Sequence, residues 1–181
     1  MGSDVSGLPV VAAGFQAPLE MLAACHGRIR NQCATLLRLK SHVAAVGADL
    51  AASTAARGVM RYFDTAVRHH FEDEEQDLFP AMLQSMAGSD PVCIRELIDS
   101  LKNDHRELER LWGKVRAWLL AVEAGKVPPE IQEVDLFVDL HETHAAREER
   151  ELLPMAERLL STKDLDEIGS AMRVRRGIPS I

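Results

Sequence analysis

Apolar residues recur along two segments of the chain with the alternating three- and four-residue spacing of helices that bury one face. These segments cover about 18–46 and about 90–123, with an error of ~2–4 residues at each end. In each segment, one histidine occupies a position where an apolar residue is expected. The inward positions are Leu19, Leu22, His26, Ile29, Cys33 and Leu36 in the first segment, and Ile98, Leu101, His105, Leu108, Trp112 and Val115 in the second.

Two further helical segments, at about 49–87 and about 130–160, repeat one another at a constant offset. Both contain the pattern His-x3-Glu-Glu-x2-Leu-(Phe/Leu)-Pro, and a phenylalanine precedes each copy at the same distance. The matched pairs are Phe63 and Phe137, His70 and His144, Glu74 and Glu148, Glu75 and Glu149, Leu78 and Leu152, and Pro80 and Pro154. The repeat predicts that the first pair of helices is related to the second pair by a pseudo-twofold axis.

The pattern therefore predicts an all-α protein built as a four-helix bundle with a short C-terminal helix. We expect a flexible N-terminal arm at residues 1–17, the bundle at 18–160, and the short helix with a tail at 161–181. Gly47, the stretch 88–91 and the stretch 125–129 separate the four long helices. The fifth helix is expected to end near Gly177.

Composition excludes several classes of protein. The net charge of −7 argues against a nucleic-acid binder, which needs a basic face. No apolar run reaches the roughly 18 residues of a membrane span, and we identify no signal peptide at the N-terminus. The cysteines Cys25, Cys33 and Cys93 are odd in number and lie within helical patterns, which favours reduced thiols and a cytoplasmic location.

Polar residues on the inward faces of the helices predict a metal site. Histidine and glutamate four residues apart lie on one helix face, about 40° apart around the axis. The bundle interior thus receives His26 and His105, together with His70 and Glu74 from one repeat and the matching pair from the other. An unpaired buried carboxylate costs several kcal/mol, a penalty that metal coordination removes. The predicted metal ligands are His26, His70, Glu74, His105, His144 and Glu148.

The number and type of these ligands limit the metal. Four imidazoles and two carboxylates are too many for one tetrahedral zinc, but they suit two carboxylate-bridged ions that lie roughly 3.5–4 Å apart. Mixed imidazole and carboxylate ligation suits iron. We assign His26 and His70 to one iron and His105 and His144 to the other. Glu74 and Glu148, which occupy matching positions in the two repeats, would bridge the two irons. An oxo or hydroxo group would complete the centre.

Other polar residues in these segments remain open or receive a different assignment. His141 lies on the inward face, where the first repeat has Val67. It could be a fifth histidine ligand, or it could support the ligands or line a pocket above them. We expect His69 to be peripheral and His42 to lie at the surface. Of the acidic run at 72–75, we expect only Glu74 to point inward.

These motifs resemble the hemerythrin-like, HHE cation-binding family over about residues 18–160. The residues that carry the resemblance are His26, the stretch from His70 to Pro80, Asp104-His105, and the stretch from His144 to Pro154. The resemblance implies an up-down-up-down antiparallel bundle with a carboxylate-bridged di-iron site that meets O₂ or related small molecules. The chain departs from the oxygen-carrying hemerythrins of marine worms, which have a His-x3-His pair on the third helix and an aspartate as one bridge.

The leading functional hypothesis is a di-iron protein that binds or senses O₂, NO or iron itself. An enzyme that reduces peroxide, oxidises Fe²⁺ or turns over NO is the second. Donation of iron for repair of iron–sulfur centres is the third, and it ranks low because family members with that role carry a cysteine-bearing N-terminal domain, whereas residues 1–16 contain no cysteine. No membrane or nucleic-acid partner is expected, a homodimer is an open alternative, and the protein partner is unknown.

Overall fold

The computed structural model describes residues 14–85 and 91–178. Within these ranges the chain is helical and forms no strand, so the predicted all-α class is confirmed. Three helices are regular over their whole length: α1 (Pro18–Val46), α3 (Pro91–Glu123) and α5 (Thr162–Arg175). The predicted turn at 88–90, the first part of the N-terminal arm (1–13) and the last residues of the tail (179–181) lie outside the described residues.

The other two helices, α2 and α4, are continuous but contain π-helical turns. Helix α2 consists of α-helical stretches Leu50–Tyr62, Arg68–Asp73 and Phe79–Gln84, joined by π turns at Phe63–Val67 and Glu74–Leu78. Helix α4 consists of Glu133–Arg147, a π turn at Glu148–Leu152, and Leu153–Leu159. A π turn inserts one extra residue into the helix, and such turns are frequent at functional sites.

Local sequence explains where these helices begin and end. Helix α1 ends at Gly47, whose φ of 102° is unfavourable for residues with a side chain. Helix α2 begins after Asp49, whose carboxylate accepts a hydrogen bond from the Ala52 backbone N–H at 2.8 Å. Helix α5 begins with a capping box formed by Ser161 and Asp164.

The four long helices enclose two apolar clusters. Contacts join α1 to α2, α2 to α3, α3 to α4, and α4 back to α1. One cluster contains Ile29, Val67, Leu108 and Phe137, and the other contains Leu22, Leu78, Leu101 and Leu152. On every long helix the predicted ligand residues lie between positions of the two clusters, so a polar layer crosses the bundle between two apolar cores.

Helix α5 packs against α1 and α2 and covers one side of the bundle. Part of the predicted N-terminal arm is bound to it, because the backbone of Phe15 lies so close to Gly169 that a Cβ at that position would be 1.9 Å from the Phe15 carbonyl oxygen. The Phe15 ring also contacts the guanidinium of Arg173, 5.5 Å from the ring centroid. Phe15 is therefore held against α5.

No helix in the described part of the chain is both long and apolar enough to cross a membrane. Cys25 and Cys33 are buried thiols in α1, and no disulfide joins the described cysteines.

Candidate metal centre

The six predicted ligands meet in the polar layer between the two apolar clusters. All six side chains are buried, with at most 2% of their surface exposed. They form two overlapping groups whose candidate ligand atoms lie within 4.8 Å of one another. The first group is His26, His70, Glu74 and Glu148, and the second is Glu74, His105, His144 and Glu148.

The two shared carboxylates each face one histidine of either pair. Glu148 Oε2 lies 3.0 Å from His26 Nε2, and its Oε1 lies 3.2 Å from His144 Nε2. Glu74 Oε1 lies 3.2 Å from His70 Nε2, and its Oε2 lies 3.3 Å from His105 Nε2. One carboxylate oxygen directed to each histidine pair is the arrangement that a bridging ligand needs.

The local form of the helices places these carboxylates. Glu74 and Glu148 are each the first residue of a π turn and follow their histidine by one helical turn. The α-helical stretch that ends at each glutamate keeps the histidine and glutamate on one face. The π turn then admits an extra residue before Leu78 and Leu152 re-enter the apolar core.

Several polar atoms in this layer form no well-directed hydrogen bond with any described residue, although Nε2 atoms and carboxylate oxygens of the layer lie 3.0–3.3 Å apart. They are His26 Nε2, both ring nitrogens of His70, Glu74 Oε2, and both carboxylate oxygens of Glu148. Buried polar atoms without partners cost about 1–3 kcal/mol each, and more when charged. Imidazole nitrogens and carboxylate oxygens that converge in this way fit a pair of first-row metal ions, which would remove the penalty.

A further set of carboxylates orients the histidines from outside. Glu149 Oε1 accepts a hydrogen bond from His26 Nδ1 at 3.0 Å, and Glu75 Oε1 accepts one from His105 Nδ1 at 2.7 Å. Because a carboxylate only accepts, each contact places a proton on Nδ1, and Nε2 would be the nitrogen that binds a metal. Asp104 Oδ2 lies 3.5 Å from His144 Nδ1.

These outer contacts correct one expectation. Glu75 does not lie on a purely solvated face, since its side chain holds His105. Asp73 is also buried, at 0% exposure, and receives hydrogen bonds from Arg175 at the end of α5 and from Arg176, which follows it. The expectation that only Glu74 of the acidic run points inward was therefore wrong. The spacing of apolar residues along α2 predicts only the face that points into the bundle. Helix α5 packs on another face of α2, and Asp73 is buried there.

The four histidines among the candidate ligands differ in the direction of their pKa shifts. Burial opposes protonation of His144, but the charge of Glu148 and the contact with Asp104 outweigh it and raise its pKa to about 10. Burial likewise opposes protonation of His26 and His105, and their carboxylate neighbours again raise the pKa. Burial and the charge of His26 hold the pKa of His70 well below its usual value. Burial and Glu148 raise the pKa of Glu74.

His141 is buried but belongs to neither group of candidate ligands among the described residues. Its ring lies among Phe63, Phe71 and Phe137, with the Phe137 centroid 4.6 Å away. Burial and the charge of His144 lower its pKa to about 3, so the imidazole is neutral. Of the described atoms, none forms a hydrogen bond with His141 Nε2.

A cavity of about 680 Å³ reaches from the surface between α2 and α3 to this region. Its outer rim includes Arg68, Glu72 and Glu109, and its inner wall includes His105 and His141. Of the six candidate ligands, His105 alone lines it. The cavity therefore reaches the polar layer on the side of the His105 pair.

The remaining histidines lie away from the layer. His69 is partly buried on α2, one residue before His70. His42 is 36% exposed, and its Nε2 lies 3.1 Å from Asp49 Oδ2. Neither belongs to a candidate metal group among the described residues.

Sequence reasoning missed the outer carboxylates and the arginines that hold them. Arg30 donates two hydrogen bonds to Glu149, at 2.9 and 3.0 Å, and one to Glu142 at 3.0 Å. The second glutamate of each repeat, Glu75 or Glu149, was a signal for this role, because both copies of the motif retain it.

Comparison with known proteins agrees with this geometry. A family model described as the hemerythrin HHE cation-binding domain matches residues 17–156. The chain is also similar to an uncharacterized protein of Haemophilus influenzae, with 27% identity over 175 residues that cover 94% of this chain and 96% of that protein. The family match includes all six residues of the polar layer and confirms the resemblance that the motifs indicated.

Proposed function

Because the chain belongs to the hemerythrin HHE cation-binding family, we propose that it is a non-haem di-iron protein that binds or senses O₂, NO or iron itself. His26 and His70 would hold one iron, and His105 and His144 the other. Glu74 and Glu148 would bridge the two, together with an oxo or hydroxo group. The observation that carries the proposal is the pair of four-residue groups that share both glutamates.

The fold supports this arrangement. The order of the two apolar clusters is the same along α1 and α3, and it is reversed along α2 and α4. This order is the one expected of an up-down-up-down bundle, which brings one point of each helix to the same level. Ligands supplied by four helices between two apolar cores would be held rigidly and shielded from water.

The protein's own residues prepare the site for metal. Glu75 and Glu149 keep the Nδ1 protons of His105 and His26 in place, so that each Nε2 faces the layer. Glu74 and Glu148 carry the negative charge that offsets the charge of two cations. Iron held in this way would supply reversible electron transfer and a Lewis-acidic centre for a small molecule.

Metal content per chain tests the proposal. The wild-type chain, Glu74→Ala and His69→Ala would be reconstituted anaerobically with Fe²⁺, and iron would be counted by elemental analysis. We expect about two irons per chain for the wild type and for His69→Ala, and a loss of iron for Glu74→Ala, which removes one bridge. The visible spectrum in air, after dithionite and again in air would report whether the centre cycles.

Two results would contradict the proposal. A wild-type chain that binds no iron, or that holds one zinc tightly, would exclude the di-iron centre. Two irons in Glu74→Ala would show that the bridging assignment is wrong. Circular dichroism of each metal-free chain controls for loss of the helical fold.

A further inference from the structure

The cavity between α2 and α3 has two features that the proposed di-iron centre does not use. The first is His141, which is 3% exposed on its inner wall and whose Nε2 lacks a hydrogen-bond partner among the described residues. A buried polar atom without a partner carries a cost that a bound ligand can remove. The second is the way the cavity meets the layer, which is at His105 and at none of the other five candidate ligands.

From these features we propose that the cavity admits a small ligand with a hydrogen-bond-accepting oxygen or nitrogen, and that His141 Nε2 donates the hydrogen bond that holds it beside His105. The inference rests on the proposed di-iron function and makes it more specific. It names the side on which the ligand enters and the residue that holds it.

The surroundings of His141 suit a donor rather than a metal ligand. The imidazole is neutral, so it carries one N–H and one free electron pair. Phe63, Phe71 and Phe137 surround the ring and offer no acceptor in their side chains. A ligand with a terminal oxygen or nitrogen would be the first acceptor available to Nε2.

The shape of the cavity also favours entry on this side. Its volume of about 680 Å³ far exceeds the roughly 30 Å³ that one water occupies in the liquid, so size does not restrict a molecule of two or three atoms. The corresponding groove between α4 and α1 is crossed by Arg30, which joins Glu142 to Glu149. At the matching position of α3 stands Glu109, which forms no ion pair with any described residue and lies on the rim of the cavity.

Azide binding to the iron-loaded protein tests the inference, because azide is a three-atom anion with terminal acceptor nitrogens. Wild type, His141→Leu, His141→Gln and the control His69→Leu would be loaded with iron, and the iron per chain would be counted first. The dissociation constant for azide would then be measured from the charge-transfer absorption of the oxidised protein. We expect all four chains to hold two irons and azide to bind His141→Leu about tenfold more weakly, the loss of one hydrogen bond. Gln, which keeps a donor, should restore part of the affinity, and His69→Leu should match the wild type.

Each other outcome overturns the inference. Loss of one iron from His141→Leu would make His141 a metal ligand. Unchanged azide affinity in His141→Leu, with two irons present, would remove its role as donor. Equal weakening in the Leu and Gln variants would trace the effect to packing. If the wild type itself binds no iron, the metal count shows that the proposed function has failed, and the inference fails with it.

Discussion

The two halves of the bundle, α1 with α2 and α3 with α4, agree at the six candidate ligands and differ around them. His26 corresponds to His105, and both copies of the repeat keep their histidine and their two glutamates. The hydrogen bonds to the histidine Nδ1 atoms are also the same in both halves. Glu149 of α4 accepts one from the histidine of α1, and Glu75 of α2 accepts one from the histidine of α3. The repeat thus retains the residues that a pair of metals would need.

The two halves of the bundle differ at the residues that surround the six candidate ligands. Val67 of α2 corresponds to His141 of α4, and Cys25 of α1 corresponds to Asp104 of α3. Asp104 contacts His144, whereas the Sγ of Cys25 accepts a hydrogen bond from Arg28 and leaves His70 Nδ1 without a partner among the described residues. A nearly symmetric centre therefore lies in asymmetric surroundings. The cavity between α2 and α3 reaches the polar layer at His105, so the two sides of the layer differ in their surroundings rather than in their candidate ligands.

The largest expected effect concerns α5, which packs on α1 and α2; within residues 14–85 and 91–178 no corresponding helix covers α4. Replacement of both Arg175 and Arg176 by alanine leaves Asp73 buried without a cation, and loss of a buried partner costs about 3–5 kcal/mol. Urea unfolding of the metal-free chain measures this cost. Lys163→Ala, on the exposed start of α5, is the control.

A second change checks the cause of that effect. Asp73→Asn in the double-arginine background removes the buried charge and should recover part of the stability. A double variant that unfolds within about 1 kcal/mol of the wild type would show that α5 does not neutralise Asp73.

The next effect tests whether the outer glutamates act as a matched pair. Glu75→Gln and Glu149→Gln should each weaken binding of one metal by about 10–100-fold, because each replaces the charged acceptor of one histidine with a neutral amide oxygen. Stepwise competition with a chelator would resolve the two sites, and the exposed Glu151→Gln serves as the control. If either variant weakened both metals equally, the two halves could not be assigned to separate metals.

The third prediction compares His144 with His70 in the metal-free protein. The folded pKa of His144 is about 10, against an ordinary value of 6.5, so its contribution to stability is complete below pH 6.5 and is lost as pH rises through 10. Between pH 7 and 9 the folded chain holds a proton that the unfolded chain lacks, and the free energy of unfolding should fall by up to about 1.4 kcal/mol per pH unit. His144→Gln should reduce this slope, and the raised pKa values of His26 and His105 would account for the part that remains.

His70→Gln is the matched variant for that measurement. The pKa of His70 is held low, so this residue is neutral over the same pH range and its replacement should leave the slope unchanged. Equal slopes in both variants would mean that the two histidines do not differ in charge.

The smallest expected effect comes from a variant that gives the groove between α2 and α3 the arginine that crosses the groove between α4 and α1. Glu109→Arg places a guanidinium where Arg30 stands in the α4–α1 groove and should pair with Glu75 across the cavity. We expect NO, which carries no charge for the new guanidinium to attract, to bind the iron-loaded protein about two- to fivefold more slowly, in keeping with the ~0.3–1 kcal/mol of an exposed ion pair. Iron content should not change, and an unchanged rate would argue against entry between α2 and α3.

Much of the fold could be predicted from sequence because the relevant signals are local. Helix α1 begins at Pro18, as predicted, and the apolar spacing identified the inward residues on the long helices. The six candidate ligands were found because a polar residue on an otherwise apolar face is conspicuous. The structure brings these six side chains together, and their ligation of metal stays a prediction until iron is measured.

The remaining features depend on contacts between distant segments. Spacing along α2 gives no indication that Arg175 and Arg176 return to Asp73 from the last helix, or that Arg30 crosses to Glu149. Sequence analysis also missed the π turns of α2 and α4. One extra residue in a turn shifts the helical register, but the apolar pattern before and after the turn stays helical. His141 illustrates the same limit, since only the positions of Phe63, Phe71 and Phe137 show what surrounds it.

The pairing of Asp73 with Arg175 and Arg176 also bears on the order in which the protein is made. A chain still on the ribosome contains Asp73 and its neighbour Glu74 well before the last helix has been synthesised. During that time the carboxylate of Asp73 has no cation to balance it, and water must remain around that part of α2. Burial of Asp73 against α5 is thus a late event in biogenesis. A product that stops short of residue 175 would carry all six candidate ligands and still keep a hydrated α2 open to proteases.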